Sequence, residues 1–324
     1  MLVEEYLTYI RTVRRYSVRT QDIYSSVLEE FMSHCQSGED DGILVRSLVP
    51  SIIRSYEVHL MEDRHLDSRT VNMHLSVLSG FCRHLMKTGV LKSNPVRTVS
   101  RPKTEKRLPV FYREDAMNEY FNRTEHAASE ENLALVTGRD KVSLEAYSER
   151  LSRLIISILY CTGIRRSELI GLNLGSVDFG RSVLHVHGKG DKDREIPLIS
   201  GLCKEISLYL KTVEAIGLSR QGMDDPLLLT PGGARLYPVF VDRTVKRELG
   251  ENAGVTGRKS PHVLRHSLAT GLLNSGTDLN SIKELLGHSS LAATQVYTHN
   301  SIEKLKNVYV NAHPRAKSGG KNGD

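Results

Sequence analysis

The residue types that can do chemistry on a phosphate gather in the last half of this chain. Pro261-His262-Val263-Leu264-Arg265-His266 is followed by Leu286-Gly287-His288-Ser289 and then by Val296-Tyr297-Thr298-His299. Upstream stand Gly163-Ile164-Arg165-Arg166-Ser167-Glu168-Leu169 and the turn Gly188-Lys189-Gly190. Arginines offer planar forks matched to phosphate oxygens. Lysine and histidine can carry or share protons, and a tyrosine can serve as a covalent nucleophile. Such a set handles a phosphate without a metal ion.

Each residue alone has a plainer reading. Lysines sit in hairpin turns for solubility, and Lys192 competes with Lys189 a few residues on. Thirteen tyrosines are present, and Tyr309 aligns with Ile302, Leu305 and Val308 as a packing residue, whereas Tyr297 lies among Thr294, Gln295, Thr298 and His299. His262 and His266 form an HxxxH pair, but Val263 stands where a zinc protease needs glutamate. His185 and His187 share one face of a strand, either as metal ligands or as ordinary polar strand residues.

In order and spacing these motifs resemble the tyrosine recombinase (phage integrase) family, and most of all its Xer site-specific recombinases. The family pattern is an arginine in T-G-hydrophobic-R-x-x-E-L, a hairpin lysine, H-x-x-R, a G-H turn and Y-T-H. It is met here at Arg165, Lys189, His262 with Arg265, His288 and Tyr297, and the likeness extends along the whole chain. The resemblance implies that Arg165 and Arg265 hold the non-bridging oxygens. Lys189 would protonate the leaving 5′-oxygen, His262 would accept the nucleophile's proton, and His288 would bond the phosphate. Tyr297 would form a 3′-phosphotyrosine, with Glu168 positioning Arg165.

The resemblance further implies metal- and ATP-independent cutting and rejoining of duplex DNA at a specific site, with no cofactor. A clamp around DNA, a tetramer at synapsis and a Holliday junction follow, with helix 302–311 docking on a neighbouring subunit. The Xer likeness adds resolution of chromosome dimers at cell division, with a second related recombinase and a division-linked DNA translocase as partners. The rivals are an integrase of a mobile element, disfavoured by the lack of an arm-binding domain, a type IB topoisomerase, and a catalytically silent DNA-binding protein.

The elements that must position these residues are mainly α with a small β-hairpin. Stripes at Leu2, Tyr6, Leu7 and Ile10; Ile23, Val27, Leu28 and Phe31; Ile52, Ile53, Tyr56 and Leu60; and Val71, Leu75, Leu78, Phe81, Cys82 and Leu85 predict four amphipathic helices. They make an N-terminal helical bundle over 1–95, a DNA-binding domain by resemblance. A proline-marked linker, 96–108, follows and carries Arg101, Lys103, Lys106 and Arg107. Within 97–107 five bases meet one acid, net +4, which suits a phosphate backbone. An α+β catalytic domain spans 109–313, and 314–324 reads as a disordered tail.

Residues 113–150 carry nine acids against five bases, and the stretch after about 122 reads as a solvated surface loop. A buried helix follows over 151–162, broken at Thr162-Gly163. Then come strands 183–187 and 194–198 around the hairpin turn, and helices at Cys203–Ile216, Tyr237–Glu251, His262–Ser275, Leu279–Leu286, Ala292–His299 and Ile302–Asn311. The formal net charge is +6 and hydrophobic residues are 39%. The N-terminus lacks the basic-then-apolar order of a secretion signal, and the four cysteines are scattered. A cytoplasmic protein without a membrane span is expected.

Overall fold

The computed structural model describes residues 1–104, 111–188, 192–218, 220, 222–250 and 259–287. The chain divides into two compact units, Met1–Arg107 and Leu108–Asp324.

The first unit is a bundle of α1 (Leu2–Thr12), α2 (Val18–His34), α3 (Asp41–Ser47), α4 (Pro50–Glu62) and α5 (Ser68–Lys87). Each long helix buries one apolar stripe: Tyr6 and Ile10, then Val27, Leu28 and Phe31, then Ile53, Tyr56 and Leu60, then the α5 row from Val71 to Leu85. Ile23 in the second stripe remains exposed. The short α3 has no stripe of its own. Its start is made by Asp40, whose side chain accepts from the N–H groups of Gly42 and Ile43, and Leu44 is its buried anchor. Asp67 caps α5 in the same way, accepting from Thr70 N–H at 2.7 Å.

The stretch after α5 is more ordered than its prolines suggest. Pro95–Thr98 is a 3-10 turn, opened by Asn94, whose side chain accepts from Val96 N–H at 3.1 Å and donates to Ser79 Oγ at 2.9 Å. Val96 and Val99 are buried in the bundle core, and Asn72 Nδ2 donates to Pro102 O at 2.9 Å. Two valines three residues apart give this segment an apolar face to bury, and that holds it on α5.

The second unit is built around α8 (Lys141–Thr162), in which every residue from Arg150 to Thr162 is buried. Before it come α6 (Glu114–Arg123), a 3-10 turn (Glu125–Ala128) and α7 (Glu130–Ala134). The solvated loop expected after residue 122 is therefore not what the chain forms. This segment is largely helical and fastened to α8 by two buried arginines. Arg150 donates from Nη2 to Ser129 O at 2.6 Å and from Nε to Asn132 Oδ1 at 3.2 Å. Arg153 donates to Phe121 O at 2.7 Å and Thr124 Oγ1 at 2.6 Å, and pairs with buried Glu205 at 3.2 Å. The acids of this stretch do face solvent, but its helical turns are held by Arg150 and Arg153, buried on α8.

After α8 follow α9 (Arg166–Gly171) and an antiparallel sheet of β1 (Val177–Asp178), β2 (Val183–Gly188) and β3 (Lys192–Pro197), in the order β1-β2-β3. The two-residue β1 carries too little pattern to be read beforehand. The β2–β3 register sets His185 opposite Glu195 and His187 opposite Asp193. The unit continues with α10 (Ser200–Ala215), α11 (Pro238–Glu248), α12 (Pro261–Asn274) and α13 (Leu279–Leu286), within a few residues of the sequence reading. The expected helices over 292–299 and 302–311 and the tail lie outside the described residues. Among the described residues, no helix is long and apolar enough to cross a membrane.

Candidate active site

The site forms where the C-terminal ends of α8 and α13 meet the start of α9. Gly163 ends α8 in the left-handed conformation, φ +62°. A Cβ there would lie 2.6 Å from Leu286 Cδ2 and 2.9 Å from Leu268 Cδ2, so both the backbone angle and the space demand glycine. Two residues later Arg165 is the N-cap of α9. Glu168, in the first turn, accepts the Arg165 backbone N–H at 2.8 Å and its Nη1 at 2.7 Å. That is half of a capping box with the capping carboxylate turned also onto the guanidinium.

Arg265 reaches the same place from α12, the helix whose first turn Pro261 opens. Its Nη1 donates to Gly163 O at 2.6 Å and its Nη2 to Leu286 O at 2.5 Å. Arg165 Nη2 donates to Gly287 O at 3.1 Å, and Arg194 Nε, from β3, to Leu285 O at 3.3 Å. Three arginines from three elements thus cap three successive carbonyls at the end of α13. A helix leaves its last carbonyls unpaired and its C-terminus partially negative, so cations are favoured there. Gly287 is again left-handed, φ +66°, and turns the chain immediately before His288.

Charge is unbalanced by design of the cluster. Glu168 is buried and faces Arg165, Arg194 and Arg265, three cations for one carboxylate. Burial raises the Glu168 pKa, but the hydrogen bonds from Arg194 and from Arg165 outweigh it and hold the carboxyl at about 2. Burial lowers Arg265 to about 10, helped by Arg165 and Arg194 and opposed by Glu168. It therefore remains a cation at neutral pH, with the surplus positive charge already assembled and desolvated. Such an excess stabilises a phosphate whose non-bridging oxygens gain charge.

The structure brings Arg165, Glu168 and Arg265 together, and places His262 exposed in the first turn of α12, three residues before buried Arg265. Arg166 faces another way and pairs with Asp242 of α11. Lys189, His288 and Tyr297 lie outside the described residues, as do Lys106 and Arg107 and the side chain of the rival Lys192. Arg101 and Lys103 are exposed in the first unit, and Arg101 Nη1 donates to Ser76 Oγ at 3.0 Å. His187 bonds Asp193 at 2.7 Å, and His185 lies 3.6 Å from Glu195 across the hairpin. They are strand residues with acidic partners. Among the described residues, no group of three His, Cys, Asp or Glu is arranged to hold a metal.

Arg194 escaped the sequence reading. The signal was available, because along β3 Arg194 falls on the inward face with Ile196, opposite buried Val186. A charge at an apolar position of an alternating strand requires a buried partner.

This bundle of helices, followed by a helical unit with a small antiparallel sheet and an arginine cluster, has close counterparts. The model of the phage integrase family matches residues 134–304. A tyrosine recombinase XerC from Chlorobaculum parvum is 33% identical over 321 residues, covering 97% of this chain and 94% of that protein. One from Bacillus pumilus is 34% identical over 319 residues, 97% of each. Among solved structures, a XerH site-specific recombinase bound to a palindromic difH substrate matches with a TM-score of 0.64 at 16% identity, over 99% of this chain and 84% of that one. A lambda integrase dimer bound to a core site matches with a TM-score of 0.60 at 16% identity, over 91% and 97%.

The chain belongs to the phage integrase family, as a Xer-like tyrosine recombinase. It is a site-specific DNA recombinase, an enzyme that acts on duplex DNA.

Proposed function

We propose that this recombinase cuts each DNA strand with Tyr297 as nucleophile. The tyrosine Oη attacks phosphorus, a bond to phosphorus forms, and the bond to the 5′-oxygen breaks. His262 receives the phenolic proton and Lys189 supplies one to the departing oxygen. Arg165 and Arg265 hold the non-bridging oxygens, His288 bonds one of them, and Glu168 orients Arg165. The 3′-phosphotyrosine conserves the phosphodiester energy, so a new 5′-hydroxyl can reverse the step without ATP.

The observation that carries this reading is the convergence of Arg165 and Arg265 on the last turn of α13, directly before His288. Beyond capping those carbonyls, three cations share one carboxylate, and the surplus positive charge suits a phosphate.

On the cell scale we propose a tetramer acting in the cytoplasm through a Holliday junction to resolve chromosome dimers. Helix 302–311 would dock on the neighbouring subunit. A second related recombinase and a division-linked DNA translocase are the expected partners, and Arg101, Lys103, Lys106 and Arg107 the expected backbone contacts. XerC-named relatives along 97% of the chain favour this role over integration of a mobile element.

The test starts by selecting the bound site from random duplexes. A duplex carrying that site, nicked beside the scissile phosphate, then traps the covalent adduct. Tyr297→Phe should bind this duplex within roughly 3-fold of wild type, only one hydroxyl being lost, yet form no adduct. An adduct from the Phe variant means another nucleophile, and none from wild type supports a silent DNA-binding protein.

A further inference from the structure

Arg194 enters the arginine cluster from the hairpin, and all three of its guanidinium nitrogens are engaged. Nη2 and Nη1 donate to the two oxygens of Glu168 at 2.8 and 3.2 Å, and Nε donates to Leu285 O at 3.3 Å. The residue is only 7% exposed. Arg165 differs. It uses one carboxylate oxygen of Glu168 and one carbonyl, and its side chain is 29% exposed. Arg165 is the more open of the two to an incoming phosphate, whereas each nitrogen of Arg194 is held by a protein acceptor.

What Arg194 touches decides what it can do. Glu168 has two oxygens, and Arg194 fixes both, so the carboxylate cannot rotate away from Arg165. Gly287 lies against the same guanidinium. A Cβ on Gly287 would sit 3.3 Å from Arg194 Cδ, Cζ and Nε. Arg194 therefore braces both the support of Arg165 and the turn that precedes His288. It does so from β3, the strand that returns from the hairpin carrying Lys189.

We propose that Arg194 is a positioning residue for phosphodiester cleavage: it clamps Glu168, and through it Arg165, and seats the Gly287 turn ahead of His288. This rests on the roles given above to Arg165 and His288. A lysine at 194 keeps the charge, but one ammonium cannot span both carboxylate oxygens and the Leu285 carbonyl as a planar fork does.

The test uses the full chain and the nicked duplex described above. Single-turnover adduct formation, duplex affinity and melting temperature are measured for wild type, Arg194→Lys, Arg194→Met, Glu168→Gln and the double variant Arg194→Met/Glu168→Gln. Misplacing an orienting group by about 1 Å costs on the order of 100-fold in rate. Arg194→Met should lose roughly that factor with affinity within about 3-fold, and Arg194→Lys a smaller part of it. The double variant should lose clearly less than the product of the two single losses, because Arg194 acts in part through Glu168.

The pH profile separates positioning from mere support. Glu168 faces Arg165 from its own turn, Arg194 from β3 and Arg265 from α12. With Arg194 replaced by Met, burial is opposed only by Arg165 and Arg265. The acid-side fall in adduct formation should then begin at a higher pH than in wild type and Arg194→Lys. A structural role alone would lower the melting temperature of the variants and leave all the profiles alike.

Wild-type cleavage rates in both Arg194 variants, or independent losses in the double variant, overturn the proposal. If Arg194→Met does not fold, Arg194→Lys decides: slower cleavage at unchanged affinity supports it, and an unchanged rate refutes it. Arg165→Ala is the separate control. Normal cleavage by that variant overturns the reading of the whole site, whereas its loss beside normal Arg194 variants removes only the role of Arg194.

Discussion

Replacing Glu168 by glutamine keeps the shape of the side chain and removes the negative charge from among three guanidiniums. The size of the effect follows from two routes. Burial raises this carboxyl, yet the bonds from Arg194 and Arg165 hold it at about 2 against an ordinary 4.5. At about 1.4 kcal/mol per pH unit, ionised Glu168 contributes on the order of 3 kcal/mol. Breaking a buried ion pair by removing one partner costs roughly 3–5 kcal/mol, a similar figure. Because the folded value is depressed, this stability is present above the ordinary carboxylate range and is lost as pH falls through about 4.5 towards about 2. For a unit of this size, about 3 kcal/mol lowers the melting temperature by roughly 6–12 °C.

The chain has no tryptophan, so scanning calorimetry is the suitable assay. The transition of the second unit should drop by that amount in Glu168→Gln at pH 7. The gap between variant and wild type should narrow steadily as pH falls below about 4.5, since protonated glutamate resembles glutamine. Equal melting temperatures at pH 7, or a gap of constant size down to pH 3, would refute the reasoning.

Affinity for duplex DNA should fall steeply with salt, with a slope of log K against log salt of about −0.9 per phosphate contact. Neutralising Arg101, Lys103, Lys106 and Arg107 together should flatten it by up to roughly four contacts' worth, and an unchanged slope removes these residues from the DNA. Lys189→Ala should cripple cleavage of ordinary DNA but recover on a substrate with sulfur at the bridging 5′-position, whose thiolate needs no proton. Equal defects on both substrates would leave Lys189 a charge contact only. Gly163→Ala should destabilise by roughly 2–5 kcal/mol, from left-handed strain and from the clash with Leu286 and Leu268. Calorimetry showing a wild-type transition would mean that the turn before Arg165 relaxes freely.

Much of this protein is written locally in its sequence. Stripes such as Val71 to Leu85 make the first unit helical, because apolar residues three and four apart share a face whatever surrounds them. The Thr162-Gly163 break, the β2–β3 hairpin and the start of α12 behind Pro261 follow from glycine and proline alone. The ordered motifs from Arg165 to Tyr297 point to the family by resemblance to its pattern, since the chemistry asks for the residue types and only the family for their order.

Other features depended on distant partners. Arg150 and Arg153 are polar letters on α8, and only the folded chain turns them into fasteners for α6, α7 and the turn between them. Val96 and Val99 lie among prolines and bases, and only the groove on α5 makes them core. Arg194 is a charge on a strand until Glu168, 26 residues away, and Leu285, 91 residues away, meet it. Local pattern records which face a residue occupies. The burial of a charge is settled by the groups that satisfy it, and in this site they come from α9, β3, α12 and the end of α13.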